Sequence, residues 1–279
     1  MIRLKKKIDT GKAITYVFCI ACFLVAIFPI YWMLVNSFKP STEILKYPPS
    51  FIPKTWTIKN YVDVWNKASW GKFFFNSVFV TVTVVLGQML FSSLAAYAFA
   101  RLEFPGKNFI FIAFLSSMMI PSVIILIPQF VIMKTIGILN SYTALILPFL
   151  FGNAFSIFFL RQFFLTVPES ISQAGEIDGC SQTRIFFQIF LPLSRHAILT
   201  LALLRAVHVW NDFLWPLIVI NSERLRTVPL AISTVFYVDR GVNWAALMTA
   251  SSIGLIPLGI VFILSKDYLM ESIGMTAFK

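Results

Sequence analysis

The sequence predicts an all-α protein, a polytopic membrane bundle of six transmembrane helices with an amphipathic helix-turn-helix between the fourth and fifth. Three observations support this fold class. Of the 279 residues, 58% are hydrophobic and 13% are charged, whereas a soluble domain is roughly 25% charged. The mean hydropathy is +0.81. The apolar residues are gathered into runs of the length that crosses a bilayer, about 20 residues.

Six such runs follow one another along the chain, and several contain prolines, which a packed bundle tolerates when neighbouring helices satisfy the freed backbone groups. The N-terminal run is too long for a signal peptide and no A-x-A cleavage site follows it, so we interpret it as the first span. We therefore expect a cytoplasmic N-terminus over residues 1–12, one transmembrane domain over 13–270 and a tail over 271–279. The predicted spans are roughly 13–38, 73–100, 108–133, 135–160, 196–220 and 242–265.

Basic residues set the predicted orientation. The N-terminal stretch "MIRLKKKIDTGK" predicts a cytoplasmic N-terminus, and the remaining Lys and Arg residues favour the same orientation by a small margin. Six spans then place the C-terminus and the stretch between spans four and five in the cytoplasm. The sequence thus predicts a multi-pass protein of the cell (inner, cytoplasmic) membrane that contacts lipid.

Several classes of function are disfavoured. The net charge of +11 reflects few acids and the basic flanks of membrane spans, so we expect no nucleic-acid partner. Cys19 and Cys22 form a C-x-x-C inside an apolar run, where redox or metal chemistry is disfavoured. The two histidines, His196 and His208, do not form a metal-ligand set. The chain contains no G-x-x-x-x-G-K-[ST] phosphate loop, so we expect no enzyme activity and no bound cofactor.

The most organised polar stretch is "SQAGEIDGCSQTRIFFQIFLPL", residues 172–193. Helical spacing continues to Asp178, Gly179 suits a left-handed helix end, and Ser181 suits the N-cap of a second helix. Pro192 is expected to bend or end that helix, whose apolar residues form one stripe. Such an element can dock into a groove of a soluble partner. The alternative is an amphipathic loop that rests on the bilayer.

At this stretch the chain resembles a known family. "QAGEIDG" followed by "LPL" resembles the E-A-A-x-x-x-G loop and its later L-P in the permeases of ABC importers. Nearly the whole chain agrees with the carbohydrate-import type, the maltose-like and glycerol-phosphate-like permeases of binding-protein-dependent transport. It resembles the G-type, six-span member of the permease pair. The segments that carry this similarity are "SFKPSTEI", "NYVDVW", "LAAYAFARLEFPGKN", "MIPSVIILIPQF", "FFLRQFF", "WNDFLWPLIV" and "TVPLAI".

The resemblance implies a division of labour. A second permease subunit of the F-type would complete the pathway for a sugar or sugar derivative, which an external solute-binding protein delivers. Two ATPase subunits would bind ATP and Mg below the membrane. The loop 168–193 would couple to them through Gln173, Ala174, Gly175, Glu176, Asp178, Gly179, Leu191 and Pro192.

Two positions of the loop depart from the family pattern. Gln173 stands where the family has Glu, so a charge-assisted hydrogen bond to the ATPase would be lost. Glu176, one helical step away, could supply the charge instead. Gly175 stands where the family has its second Ala and lowers the helix propensity by about 1 kcal/mol. We expect compensation or tolerance at these positions and not a loss of transport.

The predicted fifth span is unusual because it contains ionisable residues, in "LLRAVHVWNDF". Arg205, His208 and Asp212 share one helix face at i, i+3 and i+7. Arg205 lies ten residues after Arg195, about 15 Å into the membrane, where a charge must face a cavity or a partner. An ion-coupled secondary transporter would need more intramembrane carboxylates than Asp212 and would show internal repeats, so we disfavour that class.

Two interpretations of this face stay open. In the first, Arg205 and His208 line the pathway and meet a phosphate or carboxylate of the substrate, while Trp210, Asn211 and Trp215 stack on and hydrogen-bond a sugar. In the second, the charged residues make a structural contact with the partner permease, and the two tryptophans pack between helices and anchor the interface. Asp212 belongs to the candidate pathway in the first interpretation.

Overall fold

The computed structural model describes residues 10–67, 69–235, 237–238 and 241–277, and most of them are helical. A π-helical turn at Phe186–Phe190 and a 3-10 turn at Glu223–Leu225 interrupt the series. Two short antiparallel strands, β1 (Tyr237–Val238) and β2 (Gly241–Val242), precede the last helix. The helices are α1 (Thr10–Ser37), α2 (Ser41–Ile44), α3 (Lys59–Lys67), α4 (Trp70–Arg101), α5 (Lys107–Ser117), α6 (Ser122–Thr135), α7 (Tyr142–Leu150), α8 (Ala154–Thr166), α9 (Glu169–Ile177), α10 (Gln182–Ile185), α11 (Leu191–Leu193), α12 (Arg195–Trp210), α13 (Leu214–Val219), α14 (Val228–Val235) and α15 (Trp244–Ala277).

Within the described residues, four segments are long and apolar enough to cross a membrane: Ile14–Ser37, Trp70–Arg101, Tyr142–Thr166 and Trp244–Ile263. Two bent helix pairs raise the number to six if each pair is one span. The first pair, α5 with α6, is bent by 102°, and the second, Gln182–Leu193 with α12, by 75°. Most of the predicted segment 1–12 and the last two residues of the tail lie outside the described residues.

The predicted third span is not one continuous helix. Helix α5 ends at Ser117 and α6 begins at Ser122, directly after Pro121, whose extended backbone has φ −58° and ψ 131°. Proline disfavours the helical conformation in the residue before it and removes a backbone donor. The chain therefore turns at Pro121 and does not merely kink there.

The predicted boundaries of the fourth span are wrong by about one to two helical turns. Gly137 and Asn140 have positive φ angles, 74° and 56°, which end a helix, so the span begins at Tyr142 and not at residue 135. The hydroxyl of Ser141 caps α7 by accepting a bond from the Ala144 N–H, 3.2 Å away. The span then continues to Thr166, through a break that Asn153 closes as the N-cap of α8.

The predicted fifth span ends early. Helix α12 stops at Trp210, residues 211–213 are not regular helix, and α13 follows as a separate short helix. The Asp212 carboxylate accepts a hydrogen bond from the Trp215 N–H at 3.3 Å. A carboxylate just before a helix satisfies a free N–H group of its first turn, so Asp212 helps to start α13 and separates it from α12.

The chain divides into two compact units, and the first comprises residues 1–68 and 234–255. Its loop after α1 is tied down by buried polar groups. Lys39 is 1% exposed, its ammonium donates to the Ser50 carbonyl, and it lies 4.8 Å from the ring of Trp32. A Glu43 oxygen accepts bonds from the Ser50 hydroxyl and the Lys54 N–H, at 2.8 and 2.9 Å.

These contacts alter the acidity of both side chains. Burial lowers the pKa of Lys39, and the nearby carboxylate of Glu43 partly opposes that change. The pKa of Glu43 is also lowered, chiefly because the Lys54 N–H stabilises the ionised carboxylate. The loop is therefore an ordered element and not only an extended connection. Within it, the Lys59 N–H donates to the Thr57 hydroxyl at 3.1 Å, at the start of α3.

The second unit comprises residues 69–233 and 256–279, and α4 is its central helix. Helix α4 packs closely on the last residue of α7, because Gly87 has no side chain. A Cβ atom at Gly87 would lie 2.2 Å from Leu150 Cδ1 and 3.2 Å from the Leu150 carbonyl oxygen. One buried cluster then joins α4, α8 and α12 to the stretch after α9, through Leu160, Phe164, Ile185, Phe186, Phe190 and Leu201.

Candidate functional site

The polar stretch contains helix α9, a turn at Gly179 and the short helix α10. Helix α9 ends at Ile177, and Gly179 takes the left-handed conformation with φ 76°. The Cys180 N–H returns to the Gly175 carbonyl at 2.9 Å, which closes the turn. Ser181 then caps α10 by accepting from the Arg184 N–H. The turn is thus encoded by residues that lie next to one another in the chain.

One face of α9 is held against the body of the protein. Gly175 is buried, and a Cβ atom there would lie 3.1 Å from Ile185 Cγ1 and 3.4 Å from Ile189 Cδ1. Ile185 itself is fully buried. The glycine that departs from the family pattern therefore lets α9 approach the following helix closely. Sequence reasoning considered only its low helix propensity and missed this contact.

A hydrogen-bonded relay links the transmembrane helix α4 to the loop. The Tyr97 hydroxyl donates to Gln182 Oε1 at 2.8 Å, and Gln182 Nε2 donates to Glu176 Oε1 at 2.6 Å. The ring of Tyr97 is buried between Phe186 and Phe190, with centroids 5.3 and 5.0 Å away. The carboxylate that could replace the missing family Glu is thus oriented from α4.

Arg101, at the end of α4, holds the base of the loop. Its guanidinium donates to the carbonyl oxygens of Phe164 and Val167, at the end of α8. It also lies 5.0 Å from the ring of Phe190. A cation at the C-terminal end of a helix satisfies free carbonyl groups and interacts favourably with the helix dipole. The carbonyl groups that Arg101 bonds lie more than 60 residues away in the chain, so the sequence alone does not predict these contacts.

The opposite face of α9 and its turn is open. The exposed residues include one large apolar side chain, Ile177, which is 86% exposed. Leu191 packs partly on the core and Pro192 is exposed, both in α11 beyond the π-helical turn. Within α9 and its turn, one predicted coupling residue, Gly175, is buried and anchors the helix. The others are exposed and form one surface together with Ile177: Gln173, Ala174, Glu176, Asp178 and Gly179.

The ionisable residues of the predicted fifth span line one small cavity of about 20 Å³ together with Thr227. That volume is on the scale of one water molecule, far below that of a sugar. Arg205 Nε donates to Gln88 Oε1 of α4, a partner that sequence reasoning missed because it lies 117 positions away.

The acidic residue of this face does not form an ion pair with its basic neighbours. Within the described residues, no nitrogen of Arg205 or His208 comes within 4.0 Å of the Asp212 carboxylate. In the same part of the chain, no cluster of His, Cys, Asp or Glu could hold a metal ion.

The other two pathway candidates have different surroundings. Trp210 is buried, 6% exposed, and its ring lies 6.1 Å from that of Phe74. Asn211 is exposed, and its side-chain amide donates to the Val207 carbonyl at 2.8 Å. In this conformation Trp210 packs between helices and Asn211 satisfies the end of α12. A role of either residue in substrate contact stays a prediction.

Comparison with known proteins assigns the chain. Residues 88–274 match the family described as binding-protein-dependent transport system inner membrane component. The chain belongs to this family. Its members are permease subunits of ABC importers, which act with a substrate-binding protein and an ATPase and are not themselves enzymes. The chain is accordingly a multi-pass membrane protein.

Relatives and a solved structure agree over almost the full length. The chain is 35% identical to the arabinooligosaccharides transport system permease protein AraQ of Halalkalibacterium halodurans, over 89% of this chain and 90% of that protein. It is 32% identical to the diacetylchitobiose uptake system permease protein NgcG of Streptomyces coelicolor, over 96% and 89%. A crystal structure of a bacterial ABC transporter involved in import of the acidic polysaccharide alginate matches with TM-score 0.82 and 21% identity, covering 96% of this chain and 99% of that chain. This last match shows the permease fold.

Proposed function

We propose that this chain is the G-type permease subunit of an importer for a sugar or sugar derivative. It would cross the membrane six times with both termini in the cytoplasm and would form half of the pathway with an F-type partner. Two ATPase subunits would bind ATP and Mg, and this chain would bind no cofactor. The relatives AraQ and NgcG, whose names refer to arabinooligosaccharides and diacetylchitobiose, support a carbohydrate substrate.

The observation that carries the coupling role is the two-sided construction of α9. Its inner face packs on the following helix at Gly175, and the base of the loop is held by Arg101 of α4 at the end of α8. Its outer face and turn are exposed and include Ile177. An element that is rigidly attached on one side and free on the other can transmit a partner's movement to the membrane helices. We propose that the loop 168–193 seats in a cleft of one ATPase.

Charge in the loop supports the same proposal. Gln173, where the family has Glu, retains a hydrogen-bonding amide but no charge. Glu176 is exposed beside it on the same helix and is oriented by Gln182. A carboxylate held in place loses less conformational freedom when it binds a cation than a mobile one does. We propose that Glu176 makes the charged contact to the ATPase.

Co-purification of the tagged chain with its partner permease and a candidate ATPase tests the coupling role. The informative variant is Ile177→Glu, which places a charge on the exposed face without touching the core. Ile58→Glu is the matched control, because Ile58 is 71% exposed and lies in the first unit. We expect Ile177→Glu to lose the ATPase and the control to retain it. Equal retention of the ATPase by both variants would contradict the docking role.

A second variant tests the geometry of the turn. Gly179→Pro cannot adopt φ 76°, so it should disrupt the turn and lower both ATPase capture and the ATP hydrolysis that the binding protein stimulates. Expression and detergent elution of the chain are the controls for folding. Normal stimulation by the binding protein in a well-folded Gly179→Pro complex would refute a requirement for this turn.

We also propose that Arg205, His208, Trp210, Asn211 and Asp212 belong to the substrate pathway. Support comes from the charge within the membrane, which requires a cavity or a partner, and from the shared cavity at Arg205. Substrate binding would then have to free Arg205 from Gln88. Arg205→Leu should abolish uptake of an anionic sugar while the complex still assembles, whereas retained uptake with normal affinity would exclude the role.

A further inference from the structure

A cleft of about 610 Å³ opens in the second unit. None of the residues that line it belongs to the coupling loop 168–193. The first turn of α4, the connection between α6 and α7, and the 3-10 turn at Glu223–Leu225 surround it. Its volume is in the range of sites that hold small organic molecules, about 300–1,000 Å³. Neither the coupling loop nor the candidate substrate pathway includes this cleft.

The polar part of the cleft is built by side chains that hold one another. Asn76 Nδ2 donates to the carbonyl oxygens of Arg224 and Arg226, both at 2.9 Å, and the Tyr142 hydroxyl donates to Asn76 Oδ1. Asn140 Oδ1 accepts from the N–H and hydroxyl of Ser222 at 2.9 and 2.8 Å. These bonds fix the position of the 3-10 turn, and with it Arg224, relative to α4.

The charge of the cleft has one sign. Lys72 and Arg224 line it, and no Asp or Glu does. Helix α4 has 32 residues and is about 48 Å long, which exceeds the roughly 30 Å hydrocarbon core. If α4 is centred in the bilayer, Lys72 in its first turn lies at the level of the lipid headgroups. Two exposed cations, with no carboxylate among the residues that line the cleft, favour a ligand that carries a negative charge.

An apolar stripe leads from the cleft along α4. Phe75 lines the cleft, and its ring stacks on Phe79 with centroids 5.9 Å apart. Val82 and Leu86 continue the same face at i+7 and i+11. All four side chains are exposed, by 62%, 40%, 49% and 66%. The stripe is about 16 Å long, which matches one leaflet of the bilayer, about half of 30 Å.

We propose that this cleft and stripe bind one anionic phospholipid. Its phosphate lies between Lys72 and Arg224, and an acyl chain lies along the stripe on α4. The combination of a cationic site at headgroup level with an apolar track of leaflet length fits a lipid. A soluble anion would leave the stripe unused, and an acidic protein segment would leave it facing bulk lipid.

Native mass spectrometry of the full-length chain in detergent tests the proposal, with dioleoyl phosphatidylglycerol as the anionic lipid and dioleoyl phosphatidylcholine as the zwitterionic control. The test variant is Lys72→Gln/Arg224→Gln. The matched control is Lys46→Gln/Lys59→Gln, which removes two exposed cations of the first unit. Each cation contributes about fivefold to anionic-lipid affinity, so the Kd should rise about 25-fold in the test variant. The control variant should bind phosphatidylglycerol as the wild type does.

Three results would overturn the proposal. The first is equal binding of the two lipids to the wild type, and the second is an unchanged Kd in the test variant. The third is displacement of phosphatidylglycerol by millimolar glycerol 3-phosphate or inorganic phosphate, which would identify a site for a free anion. Thermal denaturation of the test variant with and without lipid provides a second readout. A test variant that is folded but no longer stabilised by phosphatidylglycerol supports the lipid site, whereas a test variant that this lipid stabilises as much as it stabilises the wild type contradicts it.

Discussion

Replacing Gly175 with alanine tests how closely the coupling loop is packed. The new methyl group would lie 3.1 Å from Ile185 Cγ1, 3.3 Å from Ile185 Cδ1 and 3.4 Å from Ile189 Cδ1. Carbon atoms in good contact are about 3.5–4.0 Å apart, so the closest neighbour must move by roughly 0.4 Å. Ile185 is fully buried beside the aromatic side chains that join α4 to α8. It therefore has little free space into which to move.

Two opposing effects set the expected change in unfolding free energy. Alanine is more favourable than glycine in a helix interior by about 1 kcal/mol, while overpacking costs about 1–3 kcal/mol. Gly175→Ala should therefore lower stability by about 0–2 kcal/mol. In an Ile185→Ala background, which itself loses about 2–5 kcal/mol, the two closest atoms are gone. There the same substitution should raise stability by about 1 kcal/mol, a reversal of sign.

The assay is unfolding of the purified chain in mixed micelles by increasing SDS, followed by tryptophan fluorescence. Ala174→Gly is the matched control, because Ala174 is exposed on the same helix and reports helix propensity alone. It should lower stability by about 1 kcal/mol. If Gly175→Ala stabilised the otherwise unchanged chain by that full amount, Ile185 would yield without cost. The close approach of α9 would then not require glycine.

Three further predictions concern other contacts. Tyr97→Phe keeps the ring packing but removes the hydrogen bond to Gln182, so the unfolding free energy should fall by about 1 kcal/mol. ATP hydrolysis stimulated by the binding protein should fall as well. Unchanged values in both assays would contradict the relay. Gly87→Ala should lower the unfolding free energy by about 1–3 kcal/mol in the same SDS titration. Adding Leu150→Ala to this variant should relieve much of the steric cost. No loss of stability in Gly87→Ala would mean that the packing of α4 does not need the glycine. Folding lowers the pKa of Glu43, so the ionised Glu43 carboxylate should stabilise the fold fully above its ordinary pKa of 4.5. This stabilisation should disappear as the pH falls through the lowered pKa. Glu43→Gln should flatten this acidic part of a curve of stability against pH, and an unchanged curve would exclude the effect.

The local features of the loop could be predicted because they depend on neighbouring residues. A left-handed helix end at Gly179 and an N-cap at Ser181 each involve groups within a few positions of one another, and both predictions are confirmed. Membrane class and family were predictable for a related reason. Hydropathy and ordered motifs are properties of the chain itself, and the family match over residues 88–274 confirms the assignment.

The ends and bends of the spans were less predictable. Hydropathy registers apolar residues whether or not they continue one helix, so the runs around Pro121 and Asp212 were interpreted as unbroken. The structure breaks the helix at both places, by 102° between α5 and α6 and through a non-helical stretch before α13. Backbone conformation at a few polar or constrained residues decides these points, and a window of average hydropathy cannot register it.

The sequence by itself determined that this chain is an all-α membrane protein and a permease of the binding-protein-dependent family, with a glycine turn at Gly179 and a helix cap at Ser181. Only the tertiary structure decided which polar groups meet. Gln88 pairs with Arg205, Tyr97 reaches Gln182 across 85 positions, and Arg101 bonds carbonyl oxygens at the end of α8. The physical reason is that burial of a polar or charged group requires a specific partner, and that partner is selected by the packing of helices that are remote in the chain.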